Sequence, residues 1–374
     1  MSAVSRVLVV GAGSAGCTVS GFLSRAGVDV EVVESHADVT ALGSGITVQG
    51  NALRVMKELG CWEEAEQIGF GFIETGIRGH HGALYTTLTD TQTGGPDLPA
   101  TMGMERPRMT KMLFEASKRY GTTYRMRTTF TSLAQDADGV DVTFSDGTSG
   151  RYDLVVGADG LRSAVRPAIG ITTTPQSLGM GIWRVFCGRP ASITRTDLCF
   201  DGPCFIAGFC PTGENSLYAY LVEPHVDRSG MTPDEQLARM RELSESYHGP
   251  WDEIRELMVD PMSINYTWFE EMLLDRPWYE GRVVLIGDAA HTCPPTLAQG
   301  AAQAMEDAMV LADELGKADT VDAALGAFQA RRLPRAKAVV EASVQVAKWL
   351  RDGDADADIP GTMGRALTLL SQPA

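Results

Sequence analysis

No run of eighteen uninterrupted apolar residues occurs in the chain, so no segment is expected to cross a membrane as a helix. No two cysteines form a C-x-x-C pair. The seven thiols, Cys17, Cys61, Cys187, Cys199, Cys204, Cys210 and Cys293, are scattered and odd in number, which suits a reducing compartment. They read as small buried hydrophobes, not as a disulfide framework. Positive charge is short: 32 Lys and Arg against 48 Asp and Glu leave a net charge of -16, which argues against non-specific nucleic-acid binding or an anionic membrane surface. No Ser-His-Asp set, metal-ligand cluster or cysteine nucleophile stands out, and no metal is expected. No repeat with a period of roughly 20–50 residues is visible. The chain enters an apolar strand almost at once, leaving no room for a signal peptide, and a cytoplasmic location is expected.

What is present is ordinary globular composition, 44% hydrophobic and 21% charged, at a length that suggests two interleaved domains. The organising stretch is Val4–Glu34. Val7, Leu8, Val9 and Val10 have the branching of a buried strand. Gly11-Ala12-Gly13-Ser14-Ala15-Gly16 is a G-x-G-x-x-G turn, and a helical pattern through Val19, Phe22 and Leu23 stops near Gly27. A second strand from Val28 ends in Glu34, 18 positions after Gly16. Gly11 permits the tight turn, Gly13 lets the backbone approach a pyrophosphate, and Gly16 lets helix and strand pack closely. The helix start offers unpaired N–H groups to the anion, and Glu34 can accept from both hydroxyls of a ribose. This is a dinucleotide site by pattern, and the unit alone does not choose between FAD and NAD.

Farther along, the pattern suggests a loop over 35–50 and a helix from Asn51, as N-cap, to Gly60. Residues 61–104 read as irregular, with strand-like pieces at 73–78 and 83–88. A helix is expected over 109–120, a strand over 124–128 and a meander over 132–135, 140–144 and 151–156. Residues 172–275 look like an antiparallel sheet interrupted by a helix at 232–247, with Thr232-Pro233 at its start. Residues 301–315 and 321–350 read as helical, with an acidic loop over 352–360. Two further apolar strands end in an acid beside glycine, at Asp159-Gly160 and Gly287-Asp288. In a parallel sheet such strand ends line one crevice.

These motifs resemble the class A, single-component FAD-dependent aromatic hydroxylases, similar to para-hydroxybenzoate and salicylate hydroxylases. The resemblance covers Val4–Glu34, Glu105–Ala116, Asp153–Arg166 and Gly281–Asp307. It implies an α/β fold with a discontinuous Rossmann-like FAD-binding domain (1–72, 101–171, 276–320). An interleaved antiparallel-sheet substrate domain (73–100, 172–275) and a C-terminal helical segment (321–374) complete it. Gly11, Gly13, Ser14, Ala15, Gly16 and Glu34 would hold the ADP half of non-covalent FAD. Arg106, with Arg108 as the alternative register, would reach the flavin side. Asp159 and Gly160 belong to a "DG" motif implicated in FAD and NAD(P)H binding. Gly287 and Asp288 would meet the ribityl chain, while Pro295, Gly300 and Ala301 surround the flavin ring, with N–H groups able to stabilise negative charge there. Met109 and Ala302 stand where the family usually has leucine and asparagine. His291 reads chiefly as structural, a catalytic base being the alternative. Arg184, Tyr218, Tyr220 and Trp268 are candidate substrate contacts, with core packing as the default.

The activity implied is hydroxylation of a small aromatic or N-heteroaromatic phenol or acid by NADH or NADPH and O2, through a flavin C4a-hydroperoxide, in a monomer or homodimer. Related flavoenzymes (an epoxidase, a Baeyer–Villiger enzyme, a reductase) and a non-catalytic nucleotide-binding module are the alternatives. A halogenase is disfavoured, because W-x-W-x-I-P is absent.

Overall fold

The computed structural model describes residues 3–39 and 45–374. Strand β1 (Arg6–Val10), helix α1 (Ser14–Arg25) and strand β2 (Asp29–Glu34) form the opening unit. The loop suggested over 35–50 is cut short, because Gly45–Gln49 is strand β3; Gly43 and Ser44 lie outside the described residues. Helix α2 (Gly50–Leu59) begins before Asn51, so Asn51 sits inside its first turn instead of capping it. It ends at Gly60, whose φ of 80° makes a left-handed C-cap. The region read as irregular holds α3 (Trp62–Ile68), β4 (Phe70–Phe72), β5 (Glu74–Gly79), β6 (Leu84–Thr89) and β7 (Thr101–Glu105). Only β5 and β6 show in the sequence; β7 reads Thr-Met-Gly-Met-Glu and is buried on both faces, so it has no alternation to detect.

Helix α4 (Arg106–Arg119) and strands β8 (Thr123–Met126), β9 (Phe130–Gln135), β10 (Val140–Phe144), β11 (Ser149–Tyr152) and β12 (Leu154–Gly157) follow. The single strand suggested over 151–156 is therefore two. Asp153 divides them: its carboxylate accepts the N–H groups of Ser5 (2.7 Å) and Arg6 (2.9 Å), which turns the chain into register beside β1. Next come α5 (Val165–Ala168), β13 (Gln176–Gly188), β14 (Thr196–Phe200), β15 (Ile206–Pro211), β16 (Ser216–Pro224) and α6 (Pro233–Ser244). Thr232 and Glu235 close a capping box on α6. Helix α7 (Pro250–Leu257) is a further element the sequence reading lacks, and β17 (Ile264–Leu273), β18 (Tyr279–Glu280), β19 (Val283–Leu285) and β20 (His291–Thr292) succeed it. Helix α8 (Gly300–Lys317) precedes α9 (Val321–Asp352), which runs unbroken through Pro334. The acidic loop ends early, at Asp358, whose carboxylate accepts the Gly361 N–H (2.9 Å) and starts α10 (Ile359–Leu370).

The first large sheet has the order β18-β19-β12-β1-β2-β8, parallel except for β18. Val10 pairs with Val33 on one side and Gly157 on the other, and Gly157 pairs with Leu285. The strands carrying Glu34, Asp159 and Asp288 thus finish on one edge. The second sheet runs β20-β17-β13-β16-β15-β14-β5-β6, antiparallel except between β14 and β5. On its outer face Trp183, Val185 and Phe209 pack against Met240, Trp251 and Ile254 of α6 and α7. On its inner face Ile182, Val222 and Phe269 meet Val340 and Val344 of α9, and Cys210 and Tyr218 meet Phe72. Two three-stranded sheets, β3-β7-β4 and β11-β10-β9, complete the structure.

Candidate cofactor and active site

The glycine turn after β1 is built as the residue types require. Gly11 has φ of 103°, and a Cβ on it would lie 2.6 Å from the Ala158 carbonyl oxygen. A Cβ on Gly16 would lie 1.9 Å from the Gly11 oxygen, so only glycine lets α1 close on the turn. Gly13 is different: no atom lies within 4 Å of where its Cβ would be. α1 starts there without a capping side chain or an acid in its first turn, leaving its N–H groups to an anion.

Glu34 sits beside that turn with its side chain 14% exposed. Its Oε2 accepts the Ala12 N–H (2.9 Å), and its Oε1 accepts the His36 N–H (2.8 Å) and lies 2.8 Å from His36 Nδ1. Burial opposes the charge, but the hydrogen bonds from Ala12 and His36 outweigh it and hold the carboxyl below its ordinary range. Glu34 is therefore an ionised acceptor that also braces the glycine turn.

Asp159 is divided in its bonding. Oδ2 accepts the N–H groups of Ala164 (2.7 Å) and Val165 (3.0 Å), starting α5, while Oδ1 is buried without a partner among the described residues. Such an orphaned acceptor at a strand end fits a ligand donor. Gly160 follows at φ 76° with open space where a Cβ would go. Buried Arg166 donates to the carbonyls of Leu161 and Ala289 (both 3.1 Å), joining this loop to the one after β19.

That second loop carries Gly287, at φ 60°, and Asp288. Burial pushes the Asp288 carboxyl up, while the Arg106 and His291 side chains pull it the other way. Arg106 opens α4 and bears on the Asp288 charge, while Arg108 faces Glu105 at 3.6 Å. After β20 comes a 3-10 turn, Pro295–Leu297, then Ala298 in the left-handed region at φ 52°, then Gln299 at the N-cap of α8. The Gln299 side chain does not cap the helix, and Gly300 faces open space. The starts of α1 and α8 thus offer two uncapped sets of N–H groups.

Beneath the α8 start lies a buried ionic cluster. Glu306 accepts from Arg335 (2.7 Å) and Arg332 (2.9 Å), and Asp307 accepts from Arg332 Nε (2.7 Å), with all four side chains at most 6% exposed. Asp307 Oδ2 also takes the Gly287 N–H (2.8 Å) and His291 Nε2 (2.7 Å). The His291 imidazole is buried, its Nε2 is engaged by Asp307, and the ring packs on Trp278 (4.9 Å). Asn51 belongs to the same cluster, bonded to Gln299 and Glu306. Neither Asn51's place nor the two arginines emerge from sequence reasoning. The signal was an acid pair, Glu306-Asp307, in an otherwise mostly apolar stretch of α8, with two arginines one helical turn apart on the following helix.

On the inner face of the second sheet, Arg184 Nε donates to the Tyr218 hydroxyl (3.3 Å), and its guanidinium also donates to Thr267 Oγ1. The rings of Tyr218 and Tyr220 are 5.4 Å apart. Burial raises both phenols, so both stay protonated; Arg184 partly offsets this at Tyr218. Trp268 is corrected. It is 44% exposed and packs on His225 (5.2 Å), because strand alternation turns it outward while Thr267 and Phe269 turn in. The second sheet is joined to the segment before α8: β20 pairs with β17 (Met272 with Thr292), Thr296 donates to the Ser343 carbonyl of α9 (2.7 Å), and Gly45 of β3 lies against Tyr218. The seven cysteines are free, and burial pushes every thiol up, to about 11 or 12. No group of three or more potential metal ligands occurs among the described residues, and no described helix is long and apolar enough to cross a membrane.

The sequence matches, over residues 4–343, the model of a family described as an FAD binding domain. It is 30% identical to a 2-heptyl-3-hydroxy-4(1H)-quinolone synthase of Pseudomonas aeruginosa, over 82% of this chain and 79% of that one. It is 27% identical to an FAD-dependent urate hydroxylase of Klebsiella pneumoniae, over 90% and 88% of the two chains. The structure superposes on a tetrameric form of 2-methyl-3-hydroxypyridine-5-carboxylic acid oxygenase with a TM-score of 0.81 and 26% identity, covering 98% of this chain and 95% of that one.

Proposed function

Because the chain belongs to the single-component FAD-dependent aromatic hydroxylase family, we propose that it uses NADH or NADPH and O2 to hydroxylate a small aromatic or N-heteroaromatic phenol or acid. The observation that carries the substrate class is Arg184, held by Tyr218 and Thr267 on an inner sheet face lined by Tyr218, Tyr220 and Phe72. The relatives' names point the same way, to a quinolone, urate and a hydroxypyridine carboxylic acid.

Bound FAD supplies electron acceptance from NAD(P)H and activation of O2. The chain's residues fit it. The open side of Gly13 and the α1 start take the pyrophosphate, and Glu34 takes the adenosine ribose. Asp288, with Arg106 beside it, takes the ribityl hydroxyls. The uncapped N–H groups of Gly300 and Ala301 would stabilise negative charge on the ring, with Pro295 as its neighbour. Arg184 orients an anionic substrate, and Tyr218, protonated, donates a hydrogen bond toward it. The buried inner face keeps water from the reacting atoms.

We assign 1–72, 101–171 and 276–320 to FAD binding, 73–100 and 172–275 to substrate binding and 321–374 to a helical brace. We propose one or two copies acting in the cytoplasm, the location supported by seven thiols that are all free. The test is a panel of phenols, aromatic acids and N-heteroaromatics, followed by NAD(P)H oxidation, O2 uptake and product mass. One added oxygen in a panel member supports the reading. NAD(P)H oxidation that ignores the whole panel overturns it, and a protein that takes up no FAD overturns it at its root.

A further inference from the structure

We propose that Asn51 is a positioning residue for the flavin-ring end of the site, acting by holding the Gln299 side chain away from the α8 start. This rests on the reading above that the Gly300 and Ala301 N–H groups face the flavin ring.

Gln299 occupies the N-cap position of α8. A polar side chain there is placed to accept from the first-turn N–H groups, the same groups the flavin needs. In this structure it does not. Gln299 Nε2 donates to Asn51 Oδ1 (3.1 Å), and Gln299 Oε1 accepts from Asn51 Nδ2 (3.1 Å) and from Gln303 Nε2 (3.0 Å). The two carboxamides thus form a reciprocal pair, and neither Asn51 nor Gln299 is exposed at all. The remaining Asn51 N–H goes to Glu306 (3.1 Å), whose position is fixed by Arg332 and Arg335. Asn51 is itself anchored, its backbone N–H bonded to Thr93 Oγ1 (2.9 Å). With both N–H groups and the oxygen of its amide engaged, Asn51 is held in one orientation. Asn51 therefore sets that of Gln299, and the α8 start is left uncapped for a ligand.

Removing the Asn51 carboxamide frees the Gln299 amide to turn onto the helix start and compete for those N–H groups. In Asn51→Ala holoenzyme the bound flavin is then harder to reduce. Its anaerobic reduction by NAD(P)H should slow about tenfold, below the effect of losing such a donor outright, and its reduction potential should fall. The decisive variant is Asn51→Ala/Gln299→Met, whose thioether fills the space and accepts only weakly. It should recover the parent potential and reduction rate to within about twofold, although it has lost one more hydrogen-bonding group. Recovery supports the proposal. An Asn51→Ala potential equal to the parent's overturns it, as does a double variant worse than the single. Should Asn51→Ala not fold, Asn51→Ser with and without Gln299→Met decides by the same comparison. Potential and anaerobic reduction need no aromatic substrate, so failure here is separable from failure of the hydroxylase reading.

Discussion

One oxygen of Asp307 holds both the backbone N–H of Gly287 and Nε2 of His291. A single buried carboxylate thereby fixes the turn that presents Asp288 and the first residue of the strand that enters the second sheet. Its other oxygen is held by Arg332 of α9. The loop that carries Asp288 is thus positioned from below by a buried charge.

Asp307→Asn should cost about 3–5 kcal/mol, because it leaves Arg332 buried with half its compensation gone. Urea unfolding of the apoprotein reads this. The pH dependence has a definite sign. Burial opposes the charge on Asp307 and on Glu306, yet His291 and the arginines outweigh it and hold both carboxyls below their ordinary values of 3.8 and 4.5. The unfolded chain therefore takes up these protons first. The stabilisation is complete above the ordinary carboxylate range and is lost as pH falls through it, from about pH 5 downward. Asp307→Asn should flatten that acid limb.

Gly13→Ala and Gly16→Ala should part company. A methyl at Gly13 meets no protein atom, so the apoprotein should fold with its parent melting temperature and bind FAD at least about tenfold more weakly, as flavin fluorescence titration would show. A methyl at Gly16 would overlap the Gly11 carbonyl, and this variant should lose stability before cofactor binding is even asked of it.

Glu34→Gln should weaken FAD retention by about 1.5–3 kcal/mol, the value of hydrogen bonds to a charged group, with substrate preference unchanged. Dialysis followed by flavin absorbance measures it. Equal retention in variant and parent would remove Glu34 from the cofactor site.

Arg184→Met should raise KM for anionic aromatic substrates about tenfold or more and leave FAD affinity as it was. Trp268→Ala, on the outer face, should change neither. Steady-state kinetics across the panel would separate them.

Ala298→Gly should stabilise the protein by about 0.5–1 kcal/mol. The left-handed conformation costs a non-glycine residue roughly 1–2 kcal/mol, and glycine's extra freedom in the unfolded chain returns part of that. Thermal unfolding checks it.

Residues whose roles are local were legible in the sequence. Gly16 of the β1–α1 turn is confined by Gly11, five positions away, so spacing alone reveals it, and Glu34, Asp159 and Asp288 ended apolar runs that could only be buried strands. Asn51 was misread because its surroundings looked like a helix start. Its partners, Gln299 and Glu306, lie 248 and 255 positions away, and no local pattern encodes them. Trp268 failed for another reason: strand alternation says that neighbours face opposite ways but not which way is in. Strand β7 was invisible because burial on both faces erases the period-two signal.

The order of synthesis gives the sheet order β19-β12-β1-β2 a further consequence. The glycine turn leaves the ribosome first, yet β1 gains its second neighbour only with residues 154–157, and the ribityl-side loop follows β19 at 283–285. Arg332, which neutralises the acids under that loop, comes later still. The growing chain must therefore carry the open edge of β1 until residues 154–157 are made, and the strand before Asp288 joins the sheet only with residues 283–285. Chains short of flavin should have this first-made element least protected, and limited proteolysis of nascent or apo chains should cut first near the Gly11–Gly16 turn.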